Sequence, residues 1–94
     1  MATEKTITKN IQAWLKSQPN VWHFKVHGGP FQTAGIPDLI VCANSRLVGI
    51  EVKQPGKKPT PLQSSTIRQI HASGGIAAVV TSLDEVKTII EPLL

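Results

Sequence analysis

The sequence predicts one small α/β domain, and three features of its patterning carry that prediction. Ile7, Ile11, Trp14 and Leu15 recur at helical spacing on one face. Val21 to His27, Asp38 to Ala43, Leu47 to Gln54 and Ile76 to Thr81 read as strands, by alternation or as short apolar runs. Thr60-Pro61-Leu62-Gln63 and Ser82-Leu83-Asp84-Glu85 carry the residue types that start helices. The order is therefore helix, three strands, helix, strand, helix, within 94 residues, which is the size of one domain.

Each element has its own punctuation. The first helix is expected from about Thr3 to Lys16, ended by Gln18-Pro19-Asn20. Val21 to His27 places Trp22, Phe24 and Val26 on one side and His23, Lys25 and His27 on the other, the pattern of a half-buried strand. Gly28-Gly29-Pro30 breaks it, and a polar loop runs on to Gly35. Asn44-Ser45 reads as a turn between the second and third strands, and Pro55 to Pro59 as a basic loop. The second helix has Thr60 as N-cap, Pro61 at its first position and Gln63 at capping-box spacing, and it should end at Gly74-Gly75. Ile76 to Thr81 suits a strand buried on both faces. Ser82 caps a last helix with Leu83, Val86, Ile89 and Ile90 inward, and Glu85 offers a second capping box.

Composition narrows the function. No apolar run approaches the ~20 residues of a membrane span, and the polar start from Met1 to Lys9 lacks a signal-peptide core, so an intracellular, cytoplasmic protein is expected. A single cysteine, Cys42, lies in an apolar run and is read as a small buried hydrophobe. The formal net charge of +4 favours polyanionic partners. With two Trp, two Phe and no Tyr, a base-stacking platform is not expected; nucleic acid would be gripped through phosphates and shape.

The chemistry is concentrated between Gly35 and Lys53. If Asn44-Ser45 is a two-residue hairpin turn, Ala43 pairs with Arg46, and counting outwards brings Asp38 opposite Glu51. Directly opposed side chains share a face with Cβ atoms ~5 Å apart. Lys53 lies two residues on and shares that face, while Ile50 and Val52 point into the core. Two carboxylates so placed repel unless a positive charge lies between them. A hard divalent cation, Mg2+ or Mn2+, would suit the oxygen ligands and support phosphodiester hydrolysis, with Lys53 orienting water or stabilising developing charge. The same residues also fit a cross-strand salt-bridge cluster on an exposed sheet face.

Other candidates are less specific. Glu4 shares the inward face of the first helix, although a first-turn glutamate also simply suits the helix dipole. Gln63 has a capping role to fill with Thr60. Lys57 and Lys58 form an exposed basic loop suited to DNA phosphates, and Lys25 and His27 share the polar face of the first strand. His23 and His27, ~13 Å apart along a strand, cannot share one zinc ion. His71, near a helix C-terminus, suits the dipole and is given no chemistry.

Gly35-Ile36-Pro37-Asp38-Leu39-Ile40 followed by Ile50-Glu51-Val52-Lys53 resembles the PD-(D/E)XK nuclease signature, and more narrowly the VRR-NUC family found in stand-alone phage and bacterial proteins. The likeness extends to Lys25-Val26-His27-Gly28 and to Pro59-Thr60-Pro61-Leu62-Gln63, and so covers nearly the whole chain as a single domain, 1–94. It implies a restriction-endonuclease-like αβββαβ core with a mixed sheet, here with an extra C-terminal helix. It implies catalytic roles for Asp38, Glu51, Lys53 and Gln63, and metal ligation by Glu4, Asp38, Glu51 and the backbone carbonyl of Val52. It also sets Lys25 and His27 beside the site, and it implies DNA as partner, Mg2+ as cofactor with Mn2+ as substitute, and a bacterial or phage-infected cell as the setting. The expected activity is structure-selective cleavage of the Holliday-junction-resolvase kind. Because one small domain carries one site and a junction needs two cuts, a homodimer is expected. The alternatives are a flap- or nick-directed nuclease subunit of a larger complex, and a DNA-binding module with a vestigial site. A purely structural adaptor would leave the acidic pair unexplained.

Overall fold

A tight hairpin organises the sheet. The computed structural model describes residues 2–28 and 34–94. The break at Gly29-Pro30, the following loop residues 31–33 and Met1 lie outside the described residues. Asn44 and Ser45 have φ of 48° and 74°, the positive pair that lets a two-residue turn follow the right-handed twist of its strands. The Asn44 side chain donates to the Leu93 carbonyl at 2.9 Å, tying the turn to the end of the chain. The turn joins β2 (Leu39–Ala43) to β3 (Arg46–Val52) with Ala43 opposite Arg46 and Leu39 opposite Ile50, the register that the turn count predicts.

β1 (Val21–Lys25) lies antiparallel to β2, and β4 (Ile76–Val80) lies parallel to β3, giving a mixed sheet in the order β1-β2-β3-β4. The parallel step needs a crossover, supplied by α2 (Pro61–Ala72). α1 (Glu4–Ser17) and α3 (Leu83–Ile90) cover one face, and a short 3-10 turn (Glu91–Leu93) follows. Thr3 caps α1 by accepting from the Thr6 N–H at 3.1 Å. Ser82 accepts from the Glu85 N–H at 3.3 Å, but the Glu85 carboxylate reaches back to the Thr81 N–H, so the second box closes one residue early.

The core lies between the sheet and the α1/α3 layer. Ile7, Ile11 and Leu15 meet Leu39, Val41, Val48, Ile50 and Val52, with Val86 and Ile90 closing the other side. Trp14, half-buried beside this cluster, has the Lys87 ammonium 5.9 Å from its ring centroid. Fully burying each large aliphatic side chain contributes roughly 1.5–3 kcal/mol, so this face supplies most of the stability.

The opposite face is only part-covered. α2 buries none of its own residues and leans on β3 and β4, with Ile70 set against Gly49. The β1–β2 half stays bare, which corrects two expectations. Trp22 and Phe24 are 61% and 51% exposed, their rings stacked 6.3 Å apart. The half-buried side of β1 is instead Val21, His23 and Lys25, facing α1. Cys42, opposite Trp22, is exposed rather than buried, because no helix reaches that part of the sheet. β4 is half-buried at three of its five positions rather than buried on both faces.

Gly35 sets how closely the loop before β2 approaches α2. Its φ is +88°, and a Cβ there would lie 2.8 Å from the Leu62 carbonyl oxygen. Gly35→Ala is expected to destabilise the domain by about 2–3 kcal/mol, from left-handed strain plus a backbone clash. The measurement is a urea midpoint that falls at constant m. Gly28→Ala, with nothing within 4 Å of the added carbon, should stay within about 0.5 kcal/mol of the parent.

Candidate active site

Because β2 and β3 are antiparallel, the start of β2 and the end of β3 meet at one end of the sheet. The parallel strand β4 ends there too, with the Lys53 N–H donating to the Val80 carbonyl at 2.9 Å. The α1 N-terminus closes in through a bond from Gln54 Nε2 to the Ala2 carbonyl, 3.2 Å. Asp38 immediately precedes β2. Its carbonyl accepts from the Val26 N–H at 2.8 Å, and its Oδ2 accepts from the Val52 N–H at 2.8 Å. The aspartate side chain thus crosses to β3 and is fixed by a charge-assisted bond to backbone.

Glu51 lies on β3 and is 2% exposed. Its Oε2 accepts from Gln63 Nε2 at 3.0 Å and lies 3.7 Å from Lys53 Nζ. Its Oε1 is buried with no hydrogen-bond partner. Burial, then the negative charge of the nearby Asp38, push the Glu51 carboxyl from 4.5 to about 7, against the pull of Lys53. An orphaned oxygen on a desolvated carboxylate costs free energy unless something cationic meets it. The donor set is hard oxygen, which fits a divalent cation of the Mg2+ or Mn2+ type. Among the described residues no three His, Cys, Asp or Glu side chains stand close enough to hold one ion together. Asp38 and Glu51 are therefore the side chains the fold brings together, and Glu4 is not gathered with them. Glu4 is exposed at the start of α1 and lines a cleft of about 450 Å³ that also exposes Asp38.

Gln63 makes both of the interactions between which the sequence offered a choice. Its Oε1 accepts from the Thr60 N–H at 2.8 Å, completing the capping box, while its Nε2 holds Glu51. The acceptor end serves the helix and the donor end serves the carboxylate. Lys57 and Lys58 are exposed in the loop after β3. Lys25 is half-buried and lines the same cleft as Asp38, while His27 is exposed beyond the end of β1. His71 Nε2 lies 2.7 Å from the Ala77 carbonyl, a bond from α2 to β4. Sequence reasoning missed the rest of the cleft lining, Lys5, Thr8, Lys9 and Gln12. Their signal was present as helical spacing beside the Ile7–Ile11 face.

No family model matches the sequence. A solved structure described as "VRR_NUC domain protein" superposes with a TM-score of 0.78 at 24% identity, covering 98% of this chain and 88% of that one. A second, "VRR_NUC domain", gives 0.77 at 25% identity, covering 96% and 97%. A curated protein named "Putative nuclease p44", from Acyrthosiphon pisum secondary endosymbiont phage 1, is 37% identical over 51 residues, 53% of this chain and 55% of its own length. The chain thus spans about half the length of the curated relative it matches.

The raised Glu51 pKa has a definite sign for stability. Between about 4.5 and 7 the native state holds a proton that the unfolded chain has released, so stability falls as pH rises through that window, by on the order of 3 kcal/mol. In chelator, the melting temperature should drop by more than ~5 °C from pH 5 to pH 7.5. Glu51→Gln should flatten that slope, and a slope unchanged by the substitution would assign it to other groups.

Proposed function

We propose that this chain, which belongs to the VRR-NUC family, is a divalent-metal-dependent DNA endonuclease that hydrolyses phosphodiester bonds at the Asp38–Glu51–Lys53 site. The observation that carries this reading is the buried, partnerless Oε1 of Glu51, on a carboxyl that feels the nearby negative charge of Asp38. A salt-bridge cluster alone would leave that oxygen unsatisfied. Asp38 and Glu51 would hold the ion, with the Val52 carbonyl as a further oxygen; Glu4, not gathered with them, would stay outside its ligand set. When bound, such an ion supplies charge to polarise the phosphate and makes a water more acidic.

The chain's own groups do the rest. Gln63 fixes Glu51 through Oε2, which leaves Oε1 without a partner. Asp38 is held in place by the Val52 N–H. Lys53, 15% exposed in its side chain, has its ammonium nitrogen 3.7 Å from Glu51 Oε2. It is placed to orient the attacking water or to balance negative charge as the bond from that water's oxygen to phosphorus forms and the phosphorus–ester oxygen bond breaks. Cleavage of labelled DNA is expected with Mg2+ or Mn2+ and not in excess chelator. Lys53→Ala should lower the single-turnover rate by about 100-fold or more while DNA affinity changes little, because its charge matters most in the transition state. Equal cutting in chelator would rule out the metal reading.

The substrate we propose is a four-way junction. One 94-residue chain carries one such site, and resolving a four-way junction takes two opposed cuts, so the proposed form is a twofold homodimer acting as a junction resolvase. A chain this small gains burial by pairing, and Trp22, Phe24 and Leu47 offer exposed apolar surface for it. Sedimentation at micromolar concentration should give about twice the 10.2 kDa chain mass, with paired symmetrical nicks in a four-way junction. A monomer that prefers flaps would instead support a nuclease subunit of a larger complex.

A further inference from the structure

The cleft beside Asp38 contains more positive charge than the catalytic reading uses. Its walls are α1, through Glu4, Lys5, Thr8, Lys9 and Gln12, and the end of β1, through Lys25. Lys25 immediately precedes Val26, whose N–H binds the Asp38 carbonyl, so this lysine stands at the mouth of the site. Lys5 and Lys9 follow along α1 at one-turn spacing, and Lys16 continues the stripe. From Lys5 to Lys16 the helix rises roughly 16 Å.

Three features set this stripe apart from an ordinary solvated helix face. Among the described residues the one ion pair is Lys53–Glu51, so Lys5, Lys9 and Lys25 form no salt bridge, although Glu4 and Asp38 line the same cleft. Lys5 also sits in the first turn of α1, where the helix dipole disfavours a cation. Gln12 and Lys25 are half-buried in the walls rather than extended into solvent. Three lysines against two carboxylates leave the cleft lining with a positive surplus, one lysine of it against the dipole, and such a surplus is stabilised when a polyanion lies along it.

We propose that Lys5, Lys9 and Lys25 form a track for the backbone of the DNA strand being cut, feeding successive phosphates past Asp38. This rests on the nuclease reading and adds to it a strand path and its residues. The contacts are point charges on phosphates, so the track is indifferent to base sequence. It lies on the α1 side of the site and is separate from the exposed Lys57 and Lys58 of the β3–α2 loop.

The test is fluorescence anisotropy of a fluorescein-labelled DNA duplex in chelator, so that nothing is cut, over a series of salt concentrations. Lys5→Ala with Lys9→Ala places good helix formers at exposed positions. Lys5→Gln with Lys9→Gln keeps side-chain length as a second version. Both should weaken binding at least 10-fold at low salt and reduce the slope of log affinity against log salt by about 2. Arg68→Ala, on the exposed side of α2, should leave the slope unchanged. A wild-type slope in both double variants, or an equal loss per charge in Arg68→Ala, would overturn the track. If wild-type protein neither binds nor cuts DNA, the nuclease reading itself falls. If it binds and cuts while the double variants match it, only the track falls.

Discussion

Everything at the site depends on the register of the β2–β3 hairpin. Side chains alternate along a strand, so a slip of one residue would turn Glu51 into the core and bring Ile50 out beside Asp38. The register is held from both ends. The positive φ values of Asn44 and Ser45 set the turn, and the Asp38 carboxylate bound to the Val52 N–H locks the open end. Between them, Leu39, Val41, Val48, Ile50 and Val52 can be buried only in this phase. Packing energy on one face thereby fixes the position of two acids on the other.

That arrangement stores an electrostatic cost. Glu51 is desolvated beside a second carboxylate, and Lys53 offsets it only in part. The fold accepts this cost at one end of the sheet while the aliphatic core supplies stability elsewhere. Gln63 couples the two regions. The amide that starts α2 is also the one that orients Glu51, so the seating of a crossover helix and the aim of a carboxylate are one constraint. Gly35, pressed against the Leu62 backbone, determines that seating.

Much of this was legible in the sequence because it is local. The Asn44-Ser45 turn and a count along two strands put Asp38 opposite Glu51, and the caps at Thr60 and Ser82 marked the helices. Features set by what another element covers were not legible. Trp22, Phe24 and Cys42 looked like core by composition, yet α2 stops short of them. Lys5 and Lys9 carried no signal of their own in the sequence, because what singles them out is Lys25 and Asp38 across the same cleft. Gln63 looked like a choice between two roles, because a sequence does not show that one amide can spend its oxygen and its nitrogen separately.

The bare half of the sheet has an optical consequence. With two tryptophans and no tyrosine, the near-ultraviolet emission of the chain comes almost wholly from two unlike indoles. Trp22 stands in water at 61% exposure, whereas Trp14 is half-buried against the core under the Lys87 ammonium. A dissolved quencher reaches the first far more readily than the second. Any body laid over β1 and β2 screens Trp22 and leaves Trp14 as it was, so the chain carries its own reporter of what touches that face.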